Sequence, residues 1–585
     1  MVKFLIGLAT GVALVFLSVI LLFVVALRFR EKAPVVLSDS VLVLRLDGDL
    51  PEKAPMELPA LFGADHTAPT VLGVWSALEK AAADAHIKAI VLQPEDITAG
   101  WAKLEELRMD VEKFKKSGKP VFAYLRQPGT REYFIASGAD RIYLGPAEPV
   151  MIKGLRAELM YFKKTLDKLG VSIEVEHAGK YKDFGDMFTR SDMSPETREV
   201  MTSVVDDLYG NLVAGIAQGR KKTPEEVRAI IDQGPFTASQ ALKAGLVDEL
   251  RFEDQMWGEL KDRLKVEPVH VSMDKYAKIT PESVGLRGKS QIAVVVGSGD
   301  IVRGDPNDDG GSENNLTSYG FSKLLRRVAK DSLIKGVIVR IDSPGGEVTA
   351  SDEIWREMNL LSKKKPVVIS MSDAAASGGY YMAMTGDTIV AYPGTLTGSI
   401  GVVFGKPNLH GLYDKLGITK EAIQRGKHAG IDSDYTPLSA EERTKLKDGI
   451  DESYRDFVTK VADSRHRKFA EIEPLAQGRV WLGSQAKARG LVDEIGGIDK
   501  AIELIKQKAR IPAGERVSLN VYPGRRSLID LLMKKSQEDM MEAKVGGMLG
   551  LAALHGAWSP SLRDSLRAWM RGGYLRVMPY AFEVR

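Results

Sequence analysis

At 585 residues the chain is too long for one core and divides into two or more domains. It is 44% hydrophobic and 27% charged, and 81 Lys and Arg against 78 Asp and Glu leave +3, a near-balance that gives no electrostatic case for nucleic acid. With no cysteine, disulfides, thiolate metal sites and a cysteine nucleophile are excluded.

Phe4 to Leu27 is one uncharged apolar run. Its 24 residues span roughly 36 Å as a helix, enough for a hydrocarbon core of about 30 Å. The run is too long for the apolar segment of a cleaved signal peptide, and Arg28-Phe29-Arg30-Glu31-Lys32 follows it. Residues 1–32 are therefore expected to be an uncleaved membrane anchor. Lys3 and the amino terminus face Arg28, Arg30 and Lys32, so charge does not orient the span.

The rest of the chain is duplicated. HIKAIVLQPED from His86 lies beside LIKGVIVRIDSPGG from Leu333, and GKPVFAYL from Gly118 beside KKPVVISM from Lys364. REYFIASGADRIYLGP from Arg131 matches GGYYMAMTGDTIVAYP from Gly378, and LDKLGVSIEVEHAGKYKD from Leu166 matches YDKLGITKEAIQRGKHAG from Tyr413. FTASQALKAGLVDEL from Phe236 matches WLGSQAKARGLVDEI from Trp481. Order and spacing are kept. Repeat 1 is assigned to residues 33–270, a linker containing Pro281, Gly285 and Gly288 to 271–290, and repeat 2 to 291–510. Residues 511–585 lie outside the duplication and read as a packing arm in preference to a membrane-lying helix.

Repeat 2 alternates strand and helix. Val337–Ile341 is a β-branched run of buried-strand type, broken by Ser343-Pro344-Gly345-Gly346. Ala350–Leu361 has helical spacing, Val367–Met371 is the next strand, and Ala376-Ser377-Gly378-Gly379 turns into a short helix through Met384. This alternation predicts an α/β domain with mostly parallel strands. A serine at a strand-to-helix turn has its hydroxyl presented by the backbone. The N–H of Gly378 and one from the Gly345-Gly346 turn could form an oxyanion hole. On pattern alone, both are equally ordinary glycine turns.

Asp342-Ser343-Pro344-Gly345-Gly346, Ala376-Ser377-Gly378-Gly379-Tyr380-Tyr381 and Gly394-Thr395-Leu396-Thr397-Gly398-Ser399-Ile400-Gly401-Val402, taken as an ordered set, resemble signal peptide peptidase A in its long, duplicated bacterial form. The resemblance covers the anchor, both repeats and the linker, but not the tail. It implies a Clp-protease/crotonase-like fold and a Ser-Lys dyad, with Ser377 as nucleophile and Lys182 of the Tyr181-Lys182 pair as base. Oxyanion donors carry over to Gly378 and to Gly345 or Gly346. The resemblance further implies acyl-enzyme hydrolysis of signal peptides and other unfolded apolar peptides, a homotetramer, a catalytic body on the periplasmic side of the bacterial inner membrane, and no metal or organic cofactor.

The duplication supports a composite site. Ser377 aligns with Thr130, whose two following glycines are missing, and Gln93-Pro94-Glu95-Asp96 replaces the glycine turn. Lys182 aligns with Ala429. Each half lacks what the other keeps. An ordinary lysine titrates near about 10.4, and burial at the repeat interface would supply the neutral amine that catalysis needs. Rival sites are weaker. His177 and His428 lie near the candidate loops as alternative bases. Gly285-Leu286-Arg287-Gly288-Lys289-Ser290 is one residue short of a phosphate loop. Asp305-Pro306-Asn307-Asp308-Asp309-Gly310 starts like a calcium loop but has Leu316 at its twelfth position, so it reads as a mobile acidic loop. A crotonase-type acyl-CoA enzyme and a catalytically silent membrane scaffold are the alternatives.

Overall fold

The computed structural model describes residues 35–54, 69–304, 315–524, 574–578 and 583–584. The expected anchor, the Asp305–Gly310 loop, and the apolar tail residues Met548–Leu551 and Trp569-Met570 lie outside them. Among the described residues no helix is long and apolar enough to cross a membrane.

The duplication is visible as two sheets of the same order. In repeat 1 the strands Glu249–Leu250, Arg141–Leu144, Val121–Leu125, Ile87–Ile97, Ser40–Gly48 and Val269–Ser272 lie side by side, all parallel. In repeat 2 the series is Glu494–Ile495, Thr388–Ala391, Val367–Ala376, Ile334–Ser343, Ser290–Ser298 and Val517–Tyr522, again all parallel. Parallel strands are covered by helices on both faces, so their centres are continuous apolar runs. Val337, Ile338 and Val339 are fully buried, as are Ile90, Val91 and Leu92.

Three boundaries differ from the sequence reading. The stretch assigned as linker contains the helix Met273–Ala277, and Met273 and Tyr276 sit in the core of repeat 1. Lys80 Nζ donates to the carbonyls of Tyr276, Ala277 and Ile279, tying that segment down. Residues 517–522, assigned to the tail, complete the repeat 2 sheet just as Val269–Ser272 completes that of repeat 1. A short, weakly apolar edge strand has little pattern of its own and takes its structure from the sheet it joins. The strand expected over Val367–Met371 continues to Ala376, the residue before Ser377.

The repeats share their interior. Val480 and Leu482 of repeat 2 are buried in the repeat 1 core, and Leu72 of repeat 1 packs with Ile292, Val294 and Ile338 of repeat 2. A second sheet is built jointly. Its order is Asn315–Thr317, Asp300–Val302, Gly345–Glu347, Tyr574–Val577, Val402–Asn408, Ser172–Ala178, so it draws on repeat 2, the tail and repeat 1.

Candidate active site at the repeat interface

Ser377 stands between the strand Val367–Ala376 and the short helix Gly378–Met382. Its backbone is held at φ +51°, a region non-glycine residues seldom occupy. Two hydrogen bonds fix that conformation: Ser377 N–H donates to Gly398 O at 2.8 Å, and Tyr381 N–H donates to Ser377 O at 2.8 Å. Strain of this kind persists where surrounding structure enforces it and is common at functional sites. Gly379 explains the second glycine of the motif. A Cβ there would lie 2.6 Å from Ser343 O, so the Ser377 turn nestles against the end of the neighbouring strand.

That strand end carries the other glycine turn. Gly345–Glu347 forms a short strand of its own, and the Gly378–Met382 helix packs against it. Gly345 N–H donates to Ser343 Oγ at 3.2 Å, at the long end of the usual range.

Lys182 reaches this place from repeat 1. The strand Ser172–Ala178 pairs antiparallel with Val402–Asn408 of repeat 2 through seven residue pairs, from Ser172–Asn408 to Ala178–Val402. The chain beyond Ala178 is then held by the Gln477-Gly478 loop of repeat 2. Tyr181 N–H donates to Gln477 O at 2.8 Å, and Lys180 N–H donates to Gln477 Oε1 at 3.2 Å. Gly478 has φ +76°, and a Cβ there would sit 2.6 Å from Lys182 Cβ, so only glycine admits the lysine stem.

The Lys182 side chain is fully buried, as is Ser377. Its Nζ lies 2.8 Å from Ser377 Oγ, 2.8 Å from Ser399 Oγ and 2.9 Å from Ser399 O. Sequence reasoning gave Ser399 no role, although it sits inside a quoted motif. Its signal is conformational: φ is +51°, and its N–H donates to Arg479 O at 2.7 Å. Neither histidine occupies this position. Exposed His177 bonds through Nδ1 to Gly179 O, and His428 faces Glu441 at 3.7 Å.

A buried ionic network fastens the two repeats beside these turns. Lys103 of repeat 1 places Nζ 3.1 Å from Asp342 and 3.5 Å from Asp373, which lie on the two strands leading to the glycine turn and to Ser377. Asp373 also accepts from the N–H groups of Gly100 and Lys103, both at 3.1 Å, and so caps the repeat 1 helix Trp101–Lys115 from across the interface. Burial opposes the charge on Lys103, but Asp342, Asp373, Asp49 and Glu52 hold it protonated well above the usual lysine range. Burial pushes Asp373 up to about 6, against the attraction of Lys103. Deeper in, Arg340 of repeat 2 forms a fully buried pair with Glu52 of repeat 1, with Nη2 to Oε1 at 2.8 Å and Nε to Oε2 at 3.1 Å. Tyr392 OH donates to Glu106, whose carboxyl burial pushes up to about 7, partly offset by Arg340. Among the described residues no group of three or more His, Asp or Glu could hold a metal ion.

The family model described as peptidase family S49 matches this chain over residues 113–267 and 359–512, one stretch in each repeat. The chain is similar to the chloroplastic serine protease SPPA of Arabidopsis thaliana, 38% identical over 448 residues, covering 75% of this chain and 66% of that protein. It is similar to protease 4 of Salmonella typhi, 32% identical, covering 82% of this chain and 77% of that one. Protease 4 of Haemophilus influenzae is 31% identical, with 84% and 83% covered.

Proposed function

Because the chain belongs to peptidase family S49, as a serine peptidase of the duplicated signal peptide peptidase A type, we propose that Ser377 and Lys182 form its catalytic dyad. The observation that carries this reading is the 2.8 Å contact between two fully buried groups from different repeats, Lys182 Nζ and Ser377 Oγ.

Complete burial favours the uncharged amine over the ammonium ion. A neutral amine has two N–H groups and one lone pair, and the contacts of Nζ with Ser399 and Ser377 can use them. Ser399 O can only accept, Ser399 Oγ takes the second N–H, and the lone pair is left facing the Ser377 hydroxyl. In acylation, Nζ takes the Ser377 proton while Oγ bonds to the scissile carbonyl carbon. The carbonyl oxygen becomes an anion stabilised by Gly378 N–H and an N–H of the Gly345-Gly346 turn. Lys182 then protonates the leaving nitrogen, the C–N bond breaks, and an ester on Ser377 remains. Water, deprotonated by the same amine, releases the carboxylate and restores the serine.

Each repeat is read as Clp-protease/crotonase-like, which the matching order of two parallel sheets favours. Substrates are read as released signal peptides and other unfolded, apolar peptides, with the body anchored by residues 4–27 on the periplasmic side of the inner membrane, as a homotetramer. The uncharged run is the support for the anchor. External protease should digest the body in intact spheroplasts, and full protection would refute that topology. For the chemistry, a fluorophosphonate probe should label the native chain and fail to label Ser377→Ala. Labelling that survives the substitution would remove Ser377 from the site. A crotonase-type enzyme or a silent scaffold would show no labelling at all.

A further inference from the structure

The joint sheet contains a strand that belongs to neither repeat. Tyr574–Val577 lies between Gly345–Glu347 and Val402–Asn408 and pairs antiparallel with both. Its register sets Val577 against Gly345, Arg576 against Gly346 and Leu575 against Glu347. Met578 N–H donates to Pro344 O at 2.8 Å. On the other edge Leu575 faces Val403 and Tyr574 faces Phe404. One neighbour of this strand is therefore the glycine turn beside Ser377. The other is the strand whose far edge pairs with Ser172–Ala178 and so leads to Lys182.

Met578 packs against the core of repeat 1, and Glu583–Val584 pairs antiparallel with Ala157–Glu158 of repeat 1. Without residues 574–578, Gly345–Glu347 and Val402–Asn408 would face each other across a gap one strand wide, each with an open backbone edge. Such a gap binds an extended peptide through main-chain hydrogen bonds whatever its side chains. Flanking residues give it an apolar character: Val402 is fully buried and Phe404 and Val403 nearly or fully so.

Resting on the peptidase reading above, we propose that residues 574–578 are a built-in competitor for this slot. An extended substrate laid along Gly345-Gly346 towards Ser377 needs the backbone groups that the tail strand already holds. Peptide hydrolysis therefore requires the tail strand to leave, and a tethered strand competes at the high effective concentration of an intramolecular ligand.

Two variants test this, with folding followed by circular dichroism. One ends after residue 573. The other is Met578→Pro, which removes the donor to Pro344 O while keeping the chain length. Both are measured with a fluorogenic peptide and with a fluorophosphonate probe, which is small enough to reach Ser377 without occupying the slot. If about one molecule in ten has the slot open, kcat/KM for the peptide should rise about tenfold in the truncated variant, mainly through a lower KM. Met578→Pro should give a smaller rise in the same direction. A synthetic peptide of residues 573–580 should inhibit the truncated variant competitively and the intact chain far less. An unchanged KM in both folded variants overturns the proposal, as does lost peptide turnover with probe labelling retained, which would make the strand a structural part of the site. Failure of the probe to label Ser377 in every form would instead overturn the peptidase reading.

Discussion

Repeat 1 and repeat 2 share a strand order and differ at the same two places, with opposite results. In repeat 2 the third strand ends at Ala376, just before Ser377, and Gly379 lets the turn close directly onto Ser343 O. In repeat 1 the helix Thr130–Ala136 begins at the equivalent position, but Glu132 stands where Gly379 would be. Its carboxylate accepts the Ile97 N–H at 2.7 Å and is nearly buried. The strand Ile87–Ile97 ends just before Thr98-Ala99, which stand where repeat 2 has Gly345-Gly346. A carboxylate thus occupies the turn at the start of this helix, where repeat 2 has only glycine. At the second place the contrast reverses. Ser172–Ala178 is a strand that delivers Lys182 into the interface, whereas residues 419–425 of repeat 2 form no strand and Ala429 is exposed. The proposed dyad therefore draws on the serine turn of one half and the reaching loop of the other.

The sharpest way to break this comparison is to remove one partner. Lys182→Ala and Ser377→Ala should each lower kcat on a fluorogenic peptide by about 10³-fold or more, and the double variant should be scarcely worse, because the proposed dyad acts as a unit. Additive losses would mean that they act separately. Ala429→Lys in the Lys182→Ala background should restore nothing, since an exposed lysine in repeat 2 has no path to Ser377. Next in size is Gly378→Pro, which deletes one donor and should cost about 10²-fold in kcat. Near-normal turnover in the folded variant would move the oxyanion site elsewhere.

Smaller effects probe how the halves are held together. Ser399→Ala should reduce kcat by about tenfold and leave KM near its starting value, because it removes the Ser399 Oγ contact that helps orient Nζ. A change confined to KM would show that Ser399 serves binding instead. Lys103→Met leaves Asp342 and Asp373 without their cation and should destabilise the protein by up to about 3 kcal/mol in denaturant titration. An unaltered midpoint would show that the clasp contributes nothing net. Last comes Glu106. Its folded carboxyl titrates at about 7 against an ordinary 4.5. Between those values the native state holds a proton that the unfolded chain has lost, so stability falls as pH rises through this window and the cost is complete above it. Glu106→Gln should therefore raise Tm more at pH 8 than at pH 5, and an equal shift at both would contradict the assignment.

Several features of this molecule are legible in its residues alone. The order of apolar runs and glycine turns predicts parallel α/β repeats, because a strand buried on both faces must be apolar throughout and a turn beside a substrate must lack side chains. The repeat comparison isolates Ser377 and Lys182 as the positions where each half is unlike the other. The tertiary structure decided what depends on partners distant in sequence. The burial of Lys182 follows from pairing Ser172–Ala178 with Val402–Asn408, and no local pattern specifies an edge-to-edge match between repeats. The same holds for Ser399, whose role comes from an unusual backbone angle, and for Arg340 and Glu52, charged residues whose burial is tolerable only because they meet. The helix Met273–Ala277 and the strands at 517–522 and 574–577 are short and carry weak periodicity. Their structure is supplied by the cores and sheet edges they join, and a sequence read in one dimension does not contain those neighbours.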